Sequence, residues 1–175
     1  MRKLFSLFLL LFVAMAIPAH AQDETRNANR EHLRATLDAR GADIGVIFHQ
    51  NDKNPYNFTA TLDHGLKNAA SLEIVASVTK DNTISFLVYP HYKSGYINIR
   101  TAKNTSGLMR TLLQFNYTNF MPWGADDTFD VFASYDFTLE SGYPDASIKV
   151  VIDSIPNIDT FVGQMRPYID GSNPG

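Results

Sequence analysis

From Phe129 onward, Phe129, Val131, Ala133, Tyr135, Phe137 and Leu139 alternate with Asp130, Ser134, Asp136, Thr138 and Glu140, the longest clean period-two run in the chain. Successive strand side chains point to opposite sides, so this segment has one face that must be buried and one that tolerates water. A strand of this kind needs neighbours in a sheet and a layer to cover its apolar face. Shorter stretches repeat the pattern. Leu72, Ile74, Ala76 and Val78 alternate up to the polar turn Lys80-Asp81-Asn82, and Ile84, Phe86 and Val88 follow, which predicts a hairpin. Ile44, Val46 and Phe48 predict a strand before the turn-rich Asn51 to Pro55, Tyr56 to Leu62 predicts another, and Pro90 with Lys93-Ser94-Gly95 is expected to end the strand from Ile84 before a further one over Tyr96 to Thr101.

Helical spacing supplies the covering layer. Leu33 and Leu37 stand four apart within Arg30 to Arg40, and Gly41 is placed where a left-handed helix end would be comfortable. Leu108, Met109, Leu112, Leu113 and Asn116 predict one broad apolar stripe facing the sheet, on a helix capped by Asn104, Thr105 or Ser106 and ending near Tyr117. Apolar residues from Ile148 to Ile169 recur every three or four positions. Pro156 interrupts them, which predicts one kinked helix or two short ones, the second capped by Asp153 or Ser154. The expected class is α+β: an antiparallel sheet with helices on one face, in the order one helix, three or four strands, one helix, one or two strands, one helix.

The N-terminus reads as an export signal. Arg2 and Lys3 precede an unbroken apolar run from Leu7 to Ile17, then Pro18 and Ala19-His20-Ala21. The run falls short of the roughly 20 residues a spanning helix needs. Cleavage after Ala21 is expected, giving a periplasmic or secreted protein with no stable membrane insertion. Of 175 residues, 154 would remain, with 13 basic against 18 acidic side chains and a net charge of −5. Residues 22–29 are expected to be a polar leader, 30–170 a single domain and 171–175 a disordered tail. The chain has no cysteine, which excludes disulfides, thiol nucleophiles, cysteine-ligated zinc and lipid attachment through an N-terminal cysteine. The acidic balance argues against nucleic acid as a partner.

No pattern of residues announces catalysis. His32, His49, His64 and His91 form no metal-binding pair, and no nucleophile elbow or phosphate loop is present. Asp126, Asp127 and Asp130 lack the spacing of a calcium loop and are read as a turn. The glycosylation sequons at Asn57, Asn104 and Asn116 carry no assigned function. The expectation is therefore no catalytic residue, no metal and no cofactor. The aromatic residues around two turns are the best candidates for recognition: Tyr89, His91, Tyr92 and Tyr96 in one group and Phe115, Tyr117, Phe120 and Trp123 in the other, with Tyr89, Tyr92, Tyr96, Phe120 and Trp123 singled out for partner binding.

Leu112 to Phe120, a helix end carrying Asn116-Tyr117, leads into Phe129 to Gly142 and then a long helical pattern. This arrangement resembles the YbjN family of type III secretion chaperone-like domains, also described as bacterial sensory transduction regulators. The resemblance implies an α+β fold around a central antiparallel sheet, no catalytic residues, no cofactor, and binding of a protein or peptide. The leading expectation is a non-enzymatic, exported binding domain of unknown partner, with a homodimer as one form. The alternative is a periplasmic protein that holds a small apolar ligand between sheet and helix. A hydrolase whose site assembles only in three dimensions is the third.

Overall fold

The computed structural model describes residues 17–172, with side chains from residue 23 onward. The start of the expected export signal, residues 1–16, and the last three residues of the expected tail lie outside the described residues. The order is α1 (Ile17–Gly41), β1 (His49–Gln50), β2 (Asn57–Leu62), β3 (Ser71–Val78), β4 (Ile84–Tyr92), β5 (Gly95–Tyr96), α2 (Thr105–Thr118), β6 (Trp123–Ala125), β7 (Val131–Phe137), α3 (Asp145–Ser154) and α4 (Ile158–Ile169). The fold is α+β with a seven-stranded antiparallel sheet, ordered β1-β2-β3-β4-β7-β6, with β5 pairing onto β4.

The period-two pattern is what divides the sheet. Leu72, Ile74, Ala76 and Val78 lie opposite Pro90, Val88, Phe86 and Ile84, all buried. Val131 and Ala133 extend the same layer. Leu33 and Leu37 of α1, Leu108 and Leu112 of α2, Ile148 and Ile152 of α3, and Val162 and Met165 of α4 join these strand residues in one apolar core. The alternate strand positions, Thr59, Val75, Leu87 and Ser134 among them, remain partly exposed.

Several local expectations are corrected. Five strands, not three or four, separate the first two helices. The helix expected from Arg30 begins at Ile17 and takes in the polar leader. Gly41 is right-handed, with φ −55°; the left-handed turn belongs to Gly45, with φ +75°. Gly41 is needed instead for close approach, because a Cβ there would sit 2.7 Å from the Val46 carbonyl oxygen. Val46 and Phe48 are buried as their alternation requires, yet the ladder beside β2 covers only His49 and Gln50. Pro90 does not end β4. Its carbonyl accepts from Ile97 N–H, and Val131 N–H donates to the Ile97 carbonyl, so Ile97 enters between β4 and β7 where the missing proline N–H is not called upon. The strand expected over Tyr96 to Thr101 stops at once, because Asn98 Oδ1 accepts from Arg100 N–H and opens a 3-10 turn over Ile99–Thr101. Pro156 sits in another 3-10 turn, Ile155–Asn157, that separates α3 from α4. Ser154 does not cap α4; its hydroxyl donates back to the Val150 carbonyl.

Candidate functional site

The five aromatic residues nominated by the sequence fall in three places. Tyr89 and Tyr96 meet on the open face of the sheet, ring centroids 5.8 Å apart. Phe132 lies 5.6 Å from Tyr89, and His91 lies 4.2 Å from Tyr96. The Tyr96 hydroxyl donates to Glu73 Oε2 at 2.7 Å, and this bond to a carboxylate, with partial burial, pushes the phenol up to about 12. His91 Nε2 lies 3.4 Å from the same oxygen without meeting hydrogen-bond geometry. Tyr92 is turned away from this group. Its hydroxyl donates to Asp170 Oδ2 at 2.9 Å, and Lys93 reaches the same carboxylate at 2.6 Å, tying the end of α4 to the end of β4. Tyr92 thus ties the two ends together and stands apart from Tyr89 and Tyr96.

The ionisable groups make other local structures. Asp126 Oδ1 accepts from the Thr128 N–H and hydroxyl and from Asp130 N–H, and Asn98 donates to Asp130 Oδ1. These bonds form the turn into β7, and among the described residues no group of three His, Asp or Glu side chains could hold a metal ion. His32 stacks on the Tyr143 ring at 3.6 Å and lies 3.1 Å from Asp145 Oδ1. The nearby Thr36 hydroxyl donates to the His32 carbonyl, not to its ring.

A surface on α2 takes in Tyr117 from the second aromatic group together with Met109 and Leu113, which the sequence assigned to the core. Asn104 Oδ1 accepts from Gly107 N–H and caps the helix, setting Leu108, Thr111, Leu112 and Phe115 toward the core. The rotation that buries them turns Met109, Leu113 and Tyr117 outward, with 50%, 69% and 93% of their surface exposed. Met109 and Leu113 therefore do not belong to the core-facing stripe expected of them. Residues four apart on a helix lie one above another, so the three form a continuous ridge, and Phe120, 49% exposed, follows it. Between this ridge and α4 runs a groove of about 680 Å³, lined by Arg110, Leu113, Gln114, Tyr117, Gln164 and Tyr168 among others. Arg110 has no carboxylate within ion-pair distance among the described residues, and α2 contains no acidic residue.

Phe120 and Trp123 belong to a separate cavity. Trp123 is buried against Phe115 at 5.4 Å and Phe161 at 5.7 Å, while Phe120 packs on Tyr135 at 5.7 Å. The Asn116 carboxamide accepts from Trp123 N–H and donates to its carbonyl at 3.1 Å, standing in for a neighbouring strand at the sheet edge. These contacts leave a cavity of about 260 Å³ between the Asn119–Trp123 connection and the start of α4, with Ala133 also in its lining.

No family model matches the chain, and no curated protein or solved structure matches it.

Proposed function

We propose that this chain is a non-enzymatic, exported domain, periplasmic and YbjN-like, that binds a protein or peptide in the groove between α2 and α4. The observation that carries this reading is the exposed ridge Met109, Leu113 and Tyr117. Single exposed apolar residues are ordinary, but three stacked on one helix beside a groove form a patch whose coverage by a partner removes apolar area from water. Arg110 lies in the groove lining between two ridge residues without an acidic partner among the described residues, so the fitting partner segment carries apolar side chains flanked by a carboxylate. A homodimer through this face is the case in which that partner is a second copy. Export is supported by the basic start, the short apolar run and Ala19-His20-Ala21. Among the described residues no helix is long and apolar enough to cross a membrane.

The double substitution Leu113→Ser and Tyr117→Ser tests the reading, since both side chains are exposed and their loss leaves the core intact. The expected result is an unchanged melting temperature with loss of the protein that co-purifies with the tagged mature chain from periplasm. Capture of the same protein by both forms contradicts it.

A further inference from the structure

The open face of the sheet lies on the side away from the four helices, independent of the α2–α4 groove. Glu73, Tyr89, Phe132 and Gly124 stand in one row across β3, β4, β7 and β6, with Glu73 directly opposite Tyr89 and Gly124 directly opposite Phe132. The Phe132 ring lies across Gly124, where a Cβ would sit 3.1 Å from the end of the ring, so it is laid down on the sheet. Tyr89 packs against Phe132 and Tyr96, and His91 packs against Tyr96. The result is a continuous aromatic row, partly exposed along its length, with Tyr96 44% exposed.

Carboxylates border this row, and no lysine or arginine answers them. Glu73 stands beside Tyr89, and Asp130 precedes the core residue Val131 and so faces the same side as Phe132. Asp126 joins them by accepting from Asp130 N–H. The hydrogen bonds these three side chains accept come from Tyr96, Thr128, Asn98 and Asp130 N–H, all neutral donors. Among the described residues no lysine or arginine lies within ion-pair distance of them, and only His91 approaches Glu73, at 3.4 Å. The rings feel this charge. Burial raises the Tyr89 phenol, and the charges of Asp126, Glu73 and Asp130 raise it further; the bond to Glu73, burial and then the charges of Glu73 and Asp130 do the same for Tyr96. An aromatic face is itself negative, so rings and carboxylates favour the same kind of guest, a cation.

We propose that this face is a second docking surface, and that its occupant is an arginine-bearing segment of a partner protein. A guanidinium stacks flat on an aromatic ring while its donors reach carboxylates at the ring edge, a combination that a compact ammonium does not make. Tyr89 and Tyr96 meet edge to face at 5.8 Å, so the cation lies on the row instead of entering a cage, which fits a side chain presented by a larger molecule. From Glu73 a groove of about 520 Å³ continues toward β1, lined by Thr59, Thr61, Ile47 and His49 among others, and gives the uncharged neighbours of the arginine a place to lie.

The purified chain is titrated with acetyl-Ala-Ala-Arg-Ala-Ala-amide and separately with the citrulline peptide, which keeps the planar group without its charge, while the ring resonances of Tyr89, Tyr96 and Phe132 are followed by NMR. The expected result is a saturable shift of these rings by the arginine peptide, with the citrulline peptide bound at least about threefold more weakly. Glu73→Gln combined with Asp130→Asn should bring the two affinities together, and Tyr96→Leu should weaken the arginine peptide by roughly twofold to fivefold. No saturable shift of these rings, or equal affinities for the two peptides on the unaltered chain, overturns the proposal, and that comparison stands whether or not a variant folds. A lysine peptide bound as tightly as the arginine peptide overturns the choice of arginine. Shifts confined to Leu113 and Tyr117 overturn the sheet face as the site. Because Arg110 makes the α2–α4 groove a poor host for a cationic probe, failure on the sheet leaves the proposed groove untouched.

Discussion

Asp159 shows how much one residue can hold. Its carboxylate accepts from the backbone N–H groups of Lys67, Asn68 and Ala69 at 2.8–3.0 Å and from the Asn68 side chain at 3.2 Å, joining the loop before β3 to the first turn of α4. Burial alone would raise its pKa, but the donors from Ala69, Asn68 and Lys67 outweigh it and hold the carboxyl below its ordinary value. A folded-state pKa below the unfolded one gives stability that is present above the unfolded value, about 3.9, and is lost as pH falls through the folded value. Asp159→Ala should therefore cost roughly 3 kcal/mol near neutral pH, by leaving backbone donors unpaired, and should flatten the loss of stability below about pH 4. Chemical denaturation at neutral and acid pH checks both; equal losses for the two proteins across that range contradict the assignment. Nothing in the sequence singles out Asp159, because its partners lie about ninety positions away and are backbone groups of the kind every residue carries.

At the scale of elements, α2 is where sequence and structure agree and then part. Its cap at Asn104 and its end near Tyr117 are legible because local hydrogen-bonding chemistry sets them. Its outward ridge is not, since Met109 and Leu113 are as apolar as Leu108 and Leu112, and only the packing of the helix decides which pair meets the core. That rotation rests on Gly107, where a Cβ would sit 2.3 Å from the Tyr168 ring of α4. Alanine improves helix propensity by about 1 kcal/mol, but overpacking costs about 1–3 kcal/mol, so Gly107→Ala should destabilise by about 1–2 kcal/mol. In a Tyr168→Ala background the penalty should shrink to what the Asn104 cap side chain, whose Nδ2 would lie 2.8 Å from the new Cβ, still imposes, and an unchanged penalty there would show that the clash is not with Tyr168. Strand ends depend on tertiary packing in the same way. Pro90 stays within β4 because Ile97 supplies an N–H and asks for none in return, a tertiary arrangement that a proline rule applied along the chain cannot anticipate.

At the scale of the whole molecule, the one-sided sheet follows from alternation that is already explicit between Leu72 and Val88 and from Val131 to Phe137. The placement of the aromatic side chains is less legible. Aromatic character pointed to Tyr89, Tyr92, Tyr96, Phe120 and Trp123, but the fold divides them among an open sheet face, a terminal tie and a cavity, because strand pairing sends neighbours in sequence to opposite sides. Tyr117, from the second aromatic group, is the most exposed of the large apolar side chains among the described residues and stands beside the α2–α4 groove. Site-specific photocrosslinking in cells that express the chain tests whether this groove receives a partner. With the crosslinking residue at Leu113, the account predicts a discrete adduct that is absent when the same residue stands at Lys53, in an exposed turn away from the groove. No adduct at position 113, or the same adducts from both positions, would contradict it.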